Sequence, residues 1–196
     1  MNGSGPKTAL GRPGAAEAAI LDLSDLSGIA LYEPEELVMT AAAGTPMAEI
    51  EATLARRRQC LAFEPPDLGQ LLEVSGRGST LGGTVAVGWS GPRRMKAGAV
   101  RDHVLGVRAV GGDGRGFKSG GRVVKNVTGF DLPKLLAGSH GTLAAMTEIT
   151  FKVVPAPETT RTFLLGGLDD EAAVRAMTDA MSGSFEVTGA AHLPVE

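Results

Sequence analysis

Between Arg77 and Pro92 the chain reads Arg-Gly-Ser-Thr-Leu-Gly-Gly-Thr-Val-Ala-Val-Gly-Trp-Ser-Gly-Pro, five glycines with small hydroxyls where a long helix or strand would carry bulk. Glycine reaches backbone conformations with positive φ and lets main-chain N–H groups approach a bound group. Read for chemistry, the run suits the diphosphate of a cofactor. Thr80, Gly82 and Gly83 then lie nearest to it, and a side chain at either glycine takes the space of the phosphates. Read plainly, it is a glycine-rich turn joining two elements, and one such run does not separate the two.

Two further segments of the same character stand in a fixed order around it. The first is Asn2-Gly3-Ser4-Gly5-Pro6-Lys7-Thr8; the other is Gly129-Phe130-Asp131-Leu132-Pro133-Lys134-Leu135-Leu136-Ala137-Gly138-Ser139-His140-Gly141-Thr142-Leu143, which runs into apolar Ala144 to Thr150. A nucleotide P-loop needs a glycine directly before its lysine and a strand before the loop. Pro6 precedes Lys7, so the first segment is not one.

Four ordered pieces are more specific still: Ser90-Gly91-Pro92-Arg93-Arg94, Val100-Arg101-Asp102-His103-Val104-Leu105-Gly106, Val124-Lys125-Asn126-Val127-Thr128-Gly129-Phe130-Asp131-Leu132, and Gly138-Ser139-His140-Gly141-Thr142-Leu143. Together they resemble the FAD-binding domain of the vanillyl-alcohol oxidase and p-cresol methylhydroxylase (PCMH) family, in its branch of FAD-binding subunits of bacterial glycolate oxidase, over about Gly3 to His192. The resemblance implies an α+β fold: a PCMH-type FAD-binding domain of two α/β subdomains over residues 1–155, lacking its first strand, and over 156–196 the start of a ferredoxin-like cap. It implies FAD held mostly by main-chain groups. Gly3, Ser4, Gly5, Thr80, Gly82 and Gly83 would face the diphosphate, Ser90, Gly98 and Val100 the ribose and adenine side, and Gly141, Thr142 and Met146 the flavin. Ala144 and Met146 stand where relatives tend to have Gly and Ile or Val, and Phe130 replaces a common Tyr.

Composition narrows the alternatives. A net charge of −3 provides no basic field for nucleic acid. No apolar run approaches the ~20 residues of a membrane helix, and no signal-peptide core follows Met1, so direct membrane insertion is not expected and the cytoplasm is. The 28 glycines among 196 residues are about twice the usual ~7% share, which favours a loop-rich ligand cradle. The single Cys60 makes no internal disulfide and reads as a small buried hydrophobe. Nothing has the spacing of a metal site.

Along the chain, Ala19–Leu23, Gly28–Tyr32 and Leu37–Ala43 read as strands. Thr45 is placed as N-cap of a helix whose first residue is Pro46 and whose inward positions are Met47, Ile50, Leu54 and Leu61, with Arg56 to Arg58 its solvated end. Glu64-Pro65-Pro66 reads as extended, and no role is assigned to the insert between Asp67 and Gly78. Leu81–Trp89 is a short buried helix, Val104–Val110 a strand turning at Asp113-Gly114 towards Phe117, Asp131 the cap of a helix to Ala137, and Thr142–Val154 a half-buried strand. Beyond Pro155, strands at Arg161–Leu165 and Phe185–Gly189 would flank a helix over Asp169–Met181.

The reaction implied is oxidation of a small 2-hydroxy acid, glycolate or D-lactate, to the 2-oxo acid. It needs a base near the hydroxyl and a cation for the carboxylate. Of three histidines, His103 reads as structural, His192 has no assignable role, and His140, in the glycine loop beside the expected cofactor, is the candidate base. Arg93, Arg94 and Lys96 face a substrate carboxylate, a partner subunit or solvent. None of His103, His140 and Cys60 matches a covalent flavin tether. The partners implied are a catalytic flavoprotein subunit and an iron–sulfur subunit. The rivals are an interaction module that keeps the fold without FAD, and a flavin reductase of the cell-wall precursor type.

Overall fold

The computed structural model describes residues 20–66, 78–122 and 129–194. Strands β1 (Ile29–Glu33), β2 (Val38–Ala42), β4 (Val104–Gly111), β5 (Gly116–Gly120) and β6 (Ala144–Lys152) form an antiparallel sheet in the order β1-β2-β6-β4-β5. Two-residue strands β3 (Gln59–Cys60) and β7 (Val154–Pro155) pair with each other. This mixed helix-and-sheet architecture is the α+β class expected.

The hairpins follow from turn chemistry. Gly114, at φ 78°, carries the reversal between β4 and β5, as Asp113-Gly114 foretold. In the sheet centre, Thr40 and Thr150 sit opposite each other with hydroxyls 2.8 Å apart, and Arg108 pairs with its cross-strand neighbour Glu148 at 3.0 Å. Exposed pairs of the latter kind contribute at most ~1 kcal/mol, so register rests on what lies beneath. There Met39, Ala41, Val107, Ala109, Met146, Ile149 and Phe151 form one core with residues from the helices.

Helix α1 (Met47–Ala55) buries Met47, Ile50 and Leu54, one face at three- and four-residue spacing. Helix α2 (Leu81–Val87) lies on β2 and β6 and buries Leu81, Thr84, Val85 and Val87. Short helices α3 (Arg94–Ala97) and α4 (Val100–His103) lead into β4. Helix α5 (Leu132–Leu136), capped by the Asp131 carboxylate accepting the Lys134 N–H, packs on β4 and β5.

Several expectations are corrected. Thr45 does not cap α1, whose N-cap is Pro46; it is fully buried, accepts the Gly28 N–H and donates to the Gly28 carbonyl, pinning the start of β1. The helix ends at Ala55, and Leu61 is buried in the segment after β3. Glu64 is not extended but left-handed, with φ 46°. The strand placed at Ala19–Leu23 is reduced, among the described residues, to a bridge residue at Asp22. Cys60 is half-buried rather than buried.

The expected cap forms only in part. Helix α6 (Asp170–Ser182) is present, its Asp169 carboxylate accepting the Ala172 N–H at 2.8 Å. Arg161–Leu165 and Phe185–Gly189 are not strands. A strand is stable only with a neighbour to complete its ladder. Neither segment has one among the described residues, so Phe163, Leu164 and Phe185 stand exposed.

Candidate functional site

The central glycine run folds into α2 and its two ends. Before it, Thr80 bridges to Pro46 and Ser79 accepts the Met47 N–H through its carbonyl, so α1 and α2 start side by side. A helix leaves its first N–H groups without intrahelical partners. Here they are taken by the protein: Leu81 N–H donates to the Thr45 carbonyl at 2.9 Å, Gly82 N–H to the Ala43 carbonyl at 2.7 Å, and Gly83 N–H to the Thr80 hydroxyl at 3.3 Å. These N–H groups are therefore not the free donors expected for a diphosphate. Gly82 has a packing reason instead, since a Cβ on it would lie 2.7 Å from the Ala43 Cβ.

At its other end α2 stops at Gly88, left-handed with φ 73°, which lies against Gly138. The Gly138 N–H donates to the Val85 carbonyl and the His140 N–H to the Ala86 carbonyl, at 3.0 and 2.8 Å. The third glycine loop thus satisfies carbonyls that a helix C-terminus leaves open. Gly138, His140 and Gly141 all have positive φ, and the Thr142 hydroxyl donates back to the Ser139 carbonyl. The tertiary structure has joined two of the three glycine segments. The other, with Gly3, Ser4 and Gly5, lies outside the described residues, as do positions 67–77 and 123–128.

The remaining residues expected at the site fall on several elements. The Ser90 hydroxyl accepts the Val100 N–H at 3.0 Å, so those two are bonded to each other. Gly98, with φ 86°, lets the chain turn between α3 and α4. Met146 is buried in the core on β6, and the His140 side chain is exposed. His103 is buried; its Nε2 lies 2.8 Å from the Ala97 carbonyl, its ring 5.7 Å from that of Phe63, and its Nδ1 has no hydrogen-bond partner among the described residues. His192 Nε2 lies 2.8 Å from Asp170 at the start of α6. Arg93 is paired with Glu64, whereas Arg94 and Lys96 are exposed.

Two polar groups that sequence reasoning passed over are conspicuous. The Ser79 and Ser139 hydroxyls are buried with no hydrogen-bond partner among the described residues, one before α2 and one in the loop on its far end. An unpaired buried hydroxyl costs roughly 1–3 kcal/mol. Each follows a glycine in a loop, which was the available signal. A cavity of about 780 Å³ opens elsewhere, beside β3, lined by Glu51, Arg58, Cys60, Glu64 and Glu158 among others. None of the expected cofactor residues lines it, and three carboxylates make it a poor seat for phosphate. Burial pushes the Cys60 thiol up from its ordinary value, an effect Arg93 partly offsets.

A family model described as FAD binding domain matches residues 2–120, more than half of the chain. The chain belongs to this FAD-binding domain family. The glycolate oxidase subunit GlcE of Escherichia coli is 46% identical over 157 residues, covering 80% of this chain and 42% of that protein. A D-lactate dehydrogenase of Anaerostipes hadrus is 32% identical over 79% of this chain and 31% of its own length. A solved structure of alkyldihydroxyacetonephosphate synthase superposes with a TM-score of 0.53 at 25% identity, over 68% of this chain and 22% of that one. The chain thus spans less than half the length of these relatives.

FAD is the cofactor of this domain family, and the residues present fit it. A ligand carrying phosphates and a ribityl chain would offer the acceptors and donors that the Ser79 and Ser139 hydroxyls lack among the described residues. Among the described residues no cluster of His, Cys, Asp or Glu could hold a metal ion, and no helix is long and apolar enough to cross a membrane.

Proposed function

We propose that this chain is the FAD-binding part of a glycolate-oxidase-like subunit, working in a complex that oxidises small 2-hydroxy acids to 2-oxo acids. The observation that carries this reading is the 46% identity to a glycolate oxidase subunit over four fifths of the chain. FAD supplies a two-electron acceptor for the hydride leaving the substrate α-carbon. The chain's own contribution in this reading is the surroundings of α2: Ser90, Gly98 and Val100 towards ribose and adenine, Gly141, Thr142 and the Met146 main chain along the flavin, and the Ser79 and Ser139 hydroxyls, while the N–H groups of Leu81, Gly82 and Gly83 hold α2 to its neighbours and the diphosphate role of Gly3 to Gly5 rests on the resemblance alone.

His140 is the candidate to take the hydroxyl proton, because its left-handed backbone presents an exposed imidazole from the loop that closes α2. Residues 1–155 form the cofactor domain in this reading and 156–196 the start of a cap. A catalytic flavoprotein subunit and an iron–sulfur subunit complete the substrate site and the electron outlet. The assembly works in the cytoplasm and touches the membrane only through partners.

The test is to purify the chain in the presence of FAD and record its visible spectrum, then to denature it with acid. Retained flavin that acid releases supports the reading. A colourless protein that stays so after incubation with FAD overturns it. Alone, the chain should reduce no dye with glycolate or D-lactate, since positioning and proton transfer account for many orders of magnitude in rate. Steady turnover by the isolated chain would overturn the requirement for partners.

A further inference from the structure

We infer that Glu64 is a positioning residue for the cofactor, acting through Arg93 to hold the Ser90–Val100 loop in its binding shape; this rests on the FAD reading above. Glu64 adopts φ 46°, a conformation that residues other than glycine, asparagine and aspartate rarely take. Strain of this kind persists only where the surroundings over-determine it. Here both ends of the residue are tied to one loop. The Glu64 carbonyl accepts the Gly91 N–H at 3.1 Å, its carboxylate accepts the Arg93 N–H at 3.0 Å, and the other carboxylate oxygen lies 3.3 Å from Arg93 Nε.

The approach is close enough to dictate sequence. A Cβ on Gly91 would lie 2.6 Å from a carboxylate oxygen of Glu64 and 2.8 Å from its Cβ, so residue 91 has no room for a side chain. Arg93 is held from its other side as well, since a Cβ on Gly189 would come within 3.2 Å of Arg93 Cγ. Downstream, the Ser90 hydroxyl accepts the Val100 N–H, and the Asp102 carboxylate accepts the Ala99 N–H at 2.9 Å. The order of constraint therefore runs from Glu64 through Gly91 and Arg93 to Ser90 and Val100. A surface ion pair alone would contribute little. What distinguishes this pair is that the Arg93 main-chain N–H joins it and the Gly91 N–H bonds the Glu64 carbonyl beside it.

The experiment compares the parent with Glu64→Gln, Glu64→Gly, Arg93→Ala and the distant control Glu33→Gln, which loses only the exposed pair with Arg122. FAD is titrated against the emission of Trp89, the single tryptophan, and apo-protein melting is recorded in parallel. Glu64→Gly removes the backbone strain while losing the clamp, so it separates stability from positioning. The expected result is FAD affinity lower by about tenfold or more in Glu64→Gly and Arg93→Ala, as for other partners that orient a binding group. Glu64→Gln should fall between these and the parent, apo melting of Glu64→Gly should stay near parental, and the control should be unchanged. Parental affinity in Glu64→Gly, or a loss of affinity that tracks loss of melting temperature across the set, overturns the inference alone. A parent that binds no FAD overturns the underlying reading and the inference with it.

Discussion

Gly88 and Gly138 meet backbone to backbone: a Cβ built on Gly88 would lie 2.9 Å from the Cα of Gly138. The contact joins the end of α2 to the loop that carries His140. Because Gly88 also has φ 73°, Gly88→Ala should lower stability by roughly 2 kcal/mol or more, from left-handed strain plus overpacking. Urea unfolding measures this. An unchanged midpoint would show that the loop can move away without cost.

Gly82→Val should unfold or strongly destabilise the domain rather than selectively expel the cofactor. The added side chain meets Ala43, not a ligand, since the Ala43 Cβ would lie only 2.7 Å away. Overpacking costs about 1–3 kcal/mol where neighbours can give, and more against backbone. Circular dichroism and melting of the FAD-free variant decide it. A folded, parental-stability protein that has lost only flavin would restore the phosphate-space reading.

Ser79→Ala and Ser139→Ala remove hydroxyls that have no partner among the described residues. FAD-free stability should rise, by up to about 1–3 kcal/mol, as the unpaired buried hydroxyl is removed. FAD affinity should fall by about tenfold or more for a serine that bonds a phosphate. Titration of each variant against the parent measures it, and equal affinity in both variants would remove these serines from the cofactor site.

Cys60 should alkylate slowly at neutral pH and speed up only above the pH at which an ordinary thiol ionises. Burial favours the neutral thiol, so the folded-state value lies above the unfolded one. The stability this contributes is fully present below the unfolded value and is lost as pH rises through the folded one. Iodoacetamide rates of folded and urea-unfolded protein across alkaline pH provide the comparison. Equal profiles would contradict it.

Local chemistry written into the sequence was enough for the hairpin at Asp113-Gly114, the Asp131 cap, the apolar face of α1 and the helix after Thr80. Each depends on residues within a few positions of one another. The ordered glycine pieces likewise carried the resemblance to the family and, through it, the expectation of FAD. Tertiary structure decided what those glycines do. Gly82 faces Ala43 and Gly88 faces Gly138, partners far away in the chain that no local pattern names. It also turned Thr45 from a helix cap into a pin for Gly28 and Glu64 from an extended residue into a left-handed clamp, and it left Arg161–Leu165 and Phe185–Gly189 without ladders. A hydrogen bond or a strand pairing is completed by whatever the folded chain brings within about 3 Å, and that proximity is a property of the whole fold.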